Sequence, residues 1–438
     1  MLLLFPLFFF IFKRNTILFL IIHTNSHFHL NFSPNEELYF NKNSYICKMI
    51  LLDNNKPHKY SYNMKFTVPS KTLYNYVSSV SKVINSKNAL AILNNFLFSL
   101  EGNQLTITAS DLENTLTARV PVTEAEGEGK FCIDARRLVD LLKEMPDQGI
   151  TFDIDTNLAV EITYPSGNYS LIALNGNEYP SNNDESEEMG KLEFSCPTKQ
   201  IIDGIDNTLF AVGNDDLRPQ MMGILWDIKP DAITFVATDT RKLVKYRNAM
   251  SAPGVEGSCI LPIKPATVLK NVFAKEENVN VTIEPKSATF ESASFTFNCR
   301  FIKGNFPDYN RVIPTNNPYR LTVDRQSFLN AVRRVGVFVD PGHGLVKFKL
   351  TPDKVILKAQ DNNFQTSAWE SIPCDFTGDE MVIGFSAPYL IEIFGTLPTS
   401  DIVISLSDPS RPGVFLPSED KENSELLMLL MPMTVAEF

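Results

Sequence analysis

Apolar and polar residues alternate along most of the chain after residue 63, and one alternating pattern occurs three times. Segments 105–120 (LTITASDLENTLTARV), 233–248 (ITFVATDTRKLVKYRN) and 355–370 (VILKAQDNNFQTSAWE) each read as strand, Ala-x-Asp, strand. Period-two alternation around a short polar turn predicts a hairpin. The aspartates Asp111, Asp239 and Asp361 are 128 and 122 positions apart, which is the size of a domain rather than of a solenoid repeat.

The register continues on both sides of the hairpins. Residues 131–146, 259–274 and 382–398 each run from a short strand into an amphipathic helix. Leu138, Leu141 and Leu142, like Leu390, Ile393 and Phe394, have the spacing of one buried helical face. Further alternating strands follow, as at 149–164 and 400–408, and a helix opens each unit at 70–84, 198–212 and 324–338. Polar stretches at 181–191 and 314–319 read as linkers. The expected fold is therefore α+β: three repeated domains at 64–183, 191–315 and 319–438, each with two helices on antiparallel sheet. Like domains joined end to end invite a curved assembly closed by symmetry.

The first 63 residues do not share this pattern. Apolar runs at 1–12 and 17–22 are short of the ~20 residues that a membrane helix needs. Lys13 and Arg14 follow the first run instead of preceding it, and no small-residue cleavage site comes after. The abrupt change at Met64 makes 1–63 an expected non-native extension or disordered tail.

Charge complicates the picture. The chain carries −11, and residues 1–63 hold six basic and three acidic groups, so the remainder stands at −14. A protein gripping nucleic acid usually shows the opposite balance. Any DNA role must then rest on a local basic surface. Basic residues do gather on or beside the predicted helices: Lys71, Lys82, Arg136, Arg137, Lys143, Lys264, Lys270, Arg333 and Arg334.

Enzyme chemistry lacks its parts. His343 is the only histidine after residue 63, and there is no phosphate-binding loop of either common glycine-rich type. The six cysteines, Cys47, Cys132, Cys196, Cys259, Cys299 and Cys374, form no C-x-x-C pair, so neither a metal site nor a cofactor is expected. Scattered single thiols suit buried positions in a reducing cytoplasm. Threefold recurrence of Asp111, Asp239 and Asp361 points to a turn role, because active sites are rarely triplicated.

MKFTV at 64–68, VATD at 236–239, FPDY at 306–309 with Arg311-Val312-Ile313-Pro314, and Met431-Pro432-Met433 together resemble the bacterial DNA polymerase III beta subunit, the sliding clamp. The resemblance spans essentially all of 64–438. It implies a processivity factor: a head-to-tail homodimeric ring around duplex DNA, helices lining the hole, that tethers the replicative polymerase, the clamp loader and repair proteins. Phosphate contacts without base readout would suit sliding. Lys87 and Arg218 match loops that touch DNA in the family, although Pro219-Gln220 stand where some relatives carry aromatics. The partner-peptide pocket carried over by position comprises Met221, Thr238, Thr240, Arg241, Lys242, Leu243, Pro307, Arg311, Val312, Leu430, Met431, Pro432 and Met433. Thr240-Arg241-Lys242 replace the Gly-His-Arg of many relatives, and Thr434 replaces an Arg. Val337 and Phe338 against Tyr169 and Leu171 are the implied dimer contact. Two competing readings are a membrane-anchored β-rich binding protein, in which 1–63 act as anchor, and a hydrolase using scattered acids.

Overall fold

The computed structural model describes residues 7–13, 16–22, 50–52, 64–180, 190–342, 344–361, 363–435 and 438. Strands Leu7–Lys13, Thr16–Ile22 and Ile50–Leu52 pair into a three-stranded sheet of their own. The rest of the expectation for 1–63, and most of the 181–191 linker, lies outside the described residues. Among the described residues no helix is long and apolar enough to cross a membrane.

From Met64 onward one order of elements occurs three times. In the first unit, strand Met64–Pro69 runs into α1 (Ser70–Val80), followed by strands Asn95–Glu101, Gln104–Ser110 and Asn114–Pro121. Strand Gly129–Asp134 leads into α2 (Ala135–Glu144), and Gly149–Ile154, Ala159–Tyr164 and Gly167–Ile172 follow. The second unit carries α3 (Thr198–Thr208) and α4 (Ile263–Val272), and the third α5 (Arg325–Val335) and α6 (Ala387–Thr396). The helices pack in pairs, α1 on α2, α3 on α4 and α5 on α6. Asp134 caps α2 by accepting the Arg137 N–H at 2.7 Å, and Asp324 caps α5 from Ser327 at the same distance. Leu138 and Leu142 are buried beneath α2, whereas Leu141 is only half-buried. Phe66 stacks on Phe152 at 4.8 Å in the first unit, and Phe328 on Phe394 at 4.7 Å in the third.

Each predicted hairpin forms, and each aspartate closes its turn. Asp111 Oδ1 accepts the N–H groups of Glu113 and Asn114, Asp239 Oδ1 those of Arg241 and Lys242, and Asp361 Oδ1 those of Asn363 and Phe364. The repeat is not perfect. In the first two hairpins the residue before the aspartate faces the fourth residue after it (Ser110↔Thr115, Thr238↔Leu243), but in the third it faces the sixth (Gln360↔Ser367). The third turn is thus two residues longer.

The units are joined by strand pairing. The second hairpin strand of the first unit, Asn114–Pro121, pairs with the last strand of the second, Phe295–Arg300. Lys242–Asn248 of the second unit pairs likewise with Ser424–Leu430, the last strand of the third. Two nine-stranded sheets result, each running through a unit boundary.

Charged side chains reinforce both boundaries. Lys264 of α4 reaches back to Asp111 at 2.5 Å and to Asn85 at 2.6 Å. Burial pushes the Asp111 carboxyl pKa up, but the bonds from Lys264 and Asn114 outweigh it and hold it below the ordinary value. Such a group adds stability above its unfolded pKa, and that stability is lost as pH falls through the lowered folded pKa. Asp111→Asn should therefore cost about 2 kcal/mol at neutral pH, from one weakened charge-assisted contact and a half-buried lysine left without its counter-ion. The gap to the parent should close on acidification, as denaturant unfolding across pH 3–7 will read; a gap independent of pH would refute this role.

Candidate functional site

The boundary between the second and third units collects most of the expected peptide-pocket residues. Leu243 faces Thr238 on one side and Leu429 on the other, and Lys242 faces Leu430. The Met431 N–H bonds the Arg241 carbonyl at 2.8 Å, which sets the C-terminal segment against the Asp239 turn. Met221 joins from the other side, its carbonyl and that of Thr238 both lying beside Gly213. A strap, residues 301–313, crosses the sheet face: Ile302, Phe306, Tyr309 and Ile313 pack on Leu225, Val236, Leu243, Ile260 and Leu429. The strap presents Pro307, Arg311 and Val312 to solvent. Exposed Val312 and Met431, half-buried Met221, Pro432 and Met433, and the exposed cations Arg241 and Arg311 form an apolar floor with a basic rim. Such a surface accepts large apolar anchors.

Four of the pocket residues stand otherwise than expected: Thr238 is buried and donates its hydroxyl to the Lys242 carbonyl at 2.7 Å. Leu243 and Leu430 are core residues. Lys242 is 5% exposed in its side chain and does not offer its charge to a ligand. It is bound to Glu392 of α6, lies 3.7 Å from Asp239, and sits over the Tyr389 ring at 4.6 Å and the Phe210 ring at 5.4 Å. A buried ammonium needs such partners, so Lys242 fastens the floor instead of lining it. Burial raises the Tyr389 phenol pKa, helped by neighbouring Asp239.

The expected DNA-facing cations divide into two groups. Lys71, Lys82, Lys87, Arg137, Lys143 and Arg333 are exposed and have no ion-pair partner among the described residues. The others are engaged: Arg136 with Asp140 at 3.8 Å, Lys270 with Asp206 at 2.6 Å, Arg334 with Glu370 at 2.6 Å, and Arg218 with Asp215 at 3.5 Å. Lys264 leaves the set, because its ammonium is consumed at the Asp111 boundary. None of the expected cations falls on α3 or α6, and α3 itself carries Asp203 and Asp206.

Several strands end their sheets, and two of these terminal strands matter at the ends of the chain of units: Gly167–Ile172 in the first unit and Thr366–Pro373 in the third. Tyr169 and Phe338 are exposed, Val337 is 77% exposed, and Leu171 is half-buried. Sequence reasoning missed Ile172 at 82%, Phe364 at 75% and Trp369 at 69% exposure, which flank the same edges. Alternation around Trp369 marked its strand but not its lack of a neighbour.

Three family models match in succession: the N-terminal, central and C-terminal domains of the DNA polymerase III beta subunit, over residues 64–183, 195–308 and 310–434. The chain is 27% identical over 378 residues to the beta sliding clamp of Pseudomonas aeruginosa, covering 84% of this chain and all of that one. The Vibrio cholerae clamp is 26% identical with the same coverage. Among solved structures, a Pseudomonas aeruginosa clamp bound to griselimycin superposes with TM-score 0.80 at 25% identity, over 85% of this chain and 100% of that one. A Bartonella birtlesii clamp, also bound to griselimycin, gives 0.79 at 26% identity over the same shares. Three strand-linked α+β units that match clamp domains in succession define a sliding clamp. The chain belongs to the DNA polymerase III beta subunit family. It is a processivity factor of the replicative polymerase, not an enzyme, and its partners are DNA and clamp-binding proteins. The membrane-anchored alternative finds no support in these matches.

One departure from the family carries a conformational cost. Thr240 has φ +77°, as Leu112 has +78° at the matching turn position of the first unit. A β-branched residue is strained there. Thr240→Gly should gain about 0.5–1 kcal/mol, relief of the left-handed penalty less the entropy of glycine. A lower urea midpoint for the variant would contradict this.

Proposed function

We propose that two copies close head to tail into a ring around duplex DNA, and that partner peptides dock where the second and third units meet. The supporting observation is the pairing rule inside the chain. At each internal boundary a second hairpin strand meets the last strand of the following unit. Gly167–Ile172 and Thr366–Pro373 match the two halves of a third such boundary: Thr366–Pro373 is a second hairpin strand, and Gly167–Ile172 is a last strand.

The repeat also supplies the register. Leu116, Val244 and Ala368 each face the alanine of their own Ala-x-Asp turn. Leu116 pairs with Phe297 and Val244 with Met428. Phe297 and Met428 end rows that run through Phe290-Val281-Phe194 and Phe415-Ile404-Leu321; the matching row, Ile162-Phe152-Phe66, ends at Tyr169. Ala368 should therefore face Tyr169 of the second copy, with Ser367 opposite Ser170. Phe297 and Met428 are fully buried, while Tyr169 is 37% exposed, as expected of a boundary position awaiting its neighbour. Val337, Phe338 and Leu171 lie in the same contact. Arg136 takes the place in α2 that Lys264 holds in α4, so it belongs to this boundary as a counterpart of the Asp361 turn.

Lys71, Lys82, Lys87, Arg137, Lys143 and Arg333 are the cations assigned to phosphate, with Lys270, Arg334 and Arg218 available by exchange of weak surface pairs. Arg241 and Arg311 orient the peptide, and Met221, Val312, Met431, Pro432 and Met433 receive its apolar anchors.

A protein carrying Ser170→Cys and Ser367→Cys should form a covalent ring on mild oxidation, since facing strand residues have Cα atoms about 4.5–5.5 Å apart. That ring should stay on circular DNA and leave once the circle is cut. Failure of the double variant to cross-link would discard the register, and equal retention on circles and linear DNA would discard encirclement. Deleting residues 431–438 should abolish binding of polymerase-derived peptide and leave the dimer intact; loss of the dimer as well would count against the pocket assignment.

A further inference from the structure

The strap that carries Pro307 and Arg311 has a second side. Between it and strand Gly257–Pro262 lies a cavity of about 760 Å3, lined by Leu225, Ser258, Ile260, Ile283, Phe306 and Pro307 among others. Gly257–Pro262 is the terminal strand of its nine-stranded sheet. The Ile260 carbonyl accepts the Ile302 N–H at 3.0 Å from the open side. In an antiparallel strand the N–H and C=O of one residue point the same way, and alternate residues point the same way as each other. Ser258 therefore aims both backbone groups outward with Ile260, and Pro262, which has no N–H, fits the same parity. Ser258 is exposed and makes no hydrogen bond on that side among the described residues.

The first unit shows what such an edge takes. There the matching strand Gly129–Asp134 is covered by an extended segment: Cys132 faces Leu174 and Phe131 faces Asn175. Gly176 then presses so closely on Lys130, the counterpart of Ser258, that a Cβ would fall 2.5 Å from the Lys130 carbonyl carbon. In the second unit the chain makes the single Ile302 bond and departs into the strap, leaving the next position open. The strap packs on one buried apolar layer, from Leu225 and Ile260 on the groove side to Leu243 and Leu429 on the pocket side, so the same segment walls both. Pro307 borders both.

We propose that this groove is an extension subsite of the peptide pocket, where the chain flanking a partner's anchor adds as a short β-strand to Gly257–Pro262. The proposal rests on the pocket reading above. Its occupant is an extended partner segment of alternating apolar and polar residues, held by the Ser258 backbone and by the groove's mixed lining, in which Ile283 and Phe306 stand beside Glu284 and Lys303. Three strand spacings separate Gly257–Pro262 from Lys242–Asn248 and the added strand stands a fourth beyond, roughly 19 Å, a span that about five intervening extended residues cover. One peptide can therefore occupy both sites.

Three labelled peptides test this on the full chain: a Leu-Phe anchor peptide, and the same anchor with a Val-Thr-Val-Thr run attached through five glycines on its N-terminal or its C-terminal side. One extended peptide should bind about tenfold more tightly than the anchor alone, the worth of two modest backbone bonds. Ser258→Pro removes the outward N–H without touching the bonds to Gly223–Lys229, and should return that peptide to the affinity of the anchor alone. Thermal unfolding, and unchanged affinity for the anchor peptide, confirm that the variant is folded. Equal binding of all three peptides, or an extended peptide insensitive to Ser258→Pro, would overturn the subsite. Failure of the anchor peptide to bind at all would overturn the pocket itself.

Discussion

A strand edge inside a protein cannot be left bare, and most of this architecture follows from that constraint. Each unit ends in a strand whose outer N–H and C=O groups have no partner within the unit. The chain answers by lending each last strand to the hairpin of the preceding unit, so that two boundaries become continuous sheet. Apolar rows then run through the boundary uninterrupted, and Phe297 and Met428 are buried as deeply as any residue within a unit. The side-chain ties at the boundaries, Lys264 to Asp111 and Lys242 to Glu392, are secondary fastenings on a backbone joint.

Much of the repeat was legible before any coordinates. Alternation located the hairpins, and threefold recurrence of Asp111, Asp239 and Asp361 announced turns, because each carboxylate serves the two N–H groups that its own turn exposes. Helix positions followed from apolar spacing, whereas the caps at Asp134 and Asp324 came to light only in the fold. Strand order was not legible. Which edge meets which is decided by contacts more than a hundred residues apart, and alternation is silent on them. The two added residues of the third turn escaped for a related reason, since Asn362 to Gln365 read equally well as turn or strand.

The candidate site divides the same way. The family resemblance pointed to an apolar, methionine-bearing junction, and the fold brings Met221, Thr238, Arg241 and Met431 together. Charge was the less reliable guide. Lys264 and Lys242 look in sequence like any other cation near a helix or loop, yet each is engaged by carboxylates contributed at a distance. Only burial separates them from Lys71 or Lys143, which keep their charge in solvent. An acidic protein can still present a cationic surface when a few lysines and arginines stay unpaired while many others are neutralised locally.

The two bare edges are unlike each other, one ending in Tyr169 and Ile172 and the other in Phe364 and Trp369. A contact between unlike surfaces contains no instruction to stop at two: repeated with a fixed rotation it gives a ring if the rotation closes, and a filament if it does not. In the proposed ring, the number of copies is therefore set by the rotation from one unit to the next rather than by the chemistry of the contact. In that ring, a change at the Lys264–Asp111 tie that altered how the first unit meets the second would leave both edges and the peptide pocket intact, and would give fibres in place of closed circles.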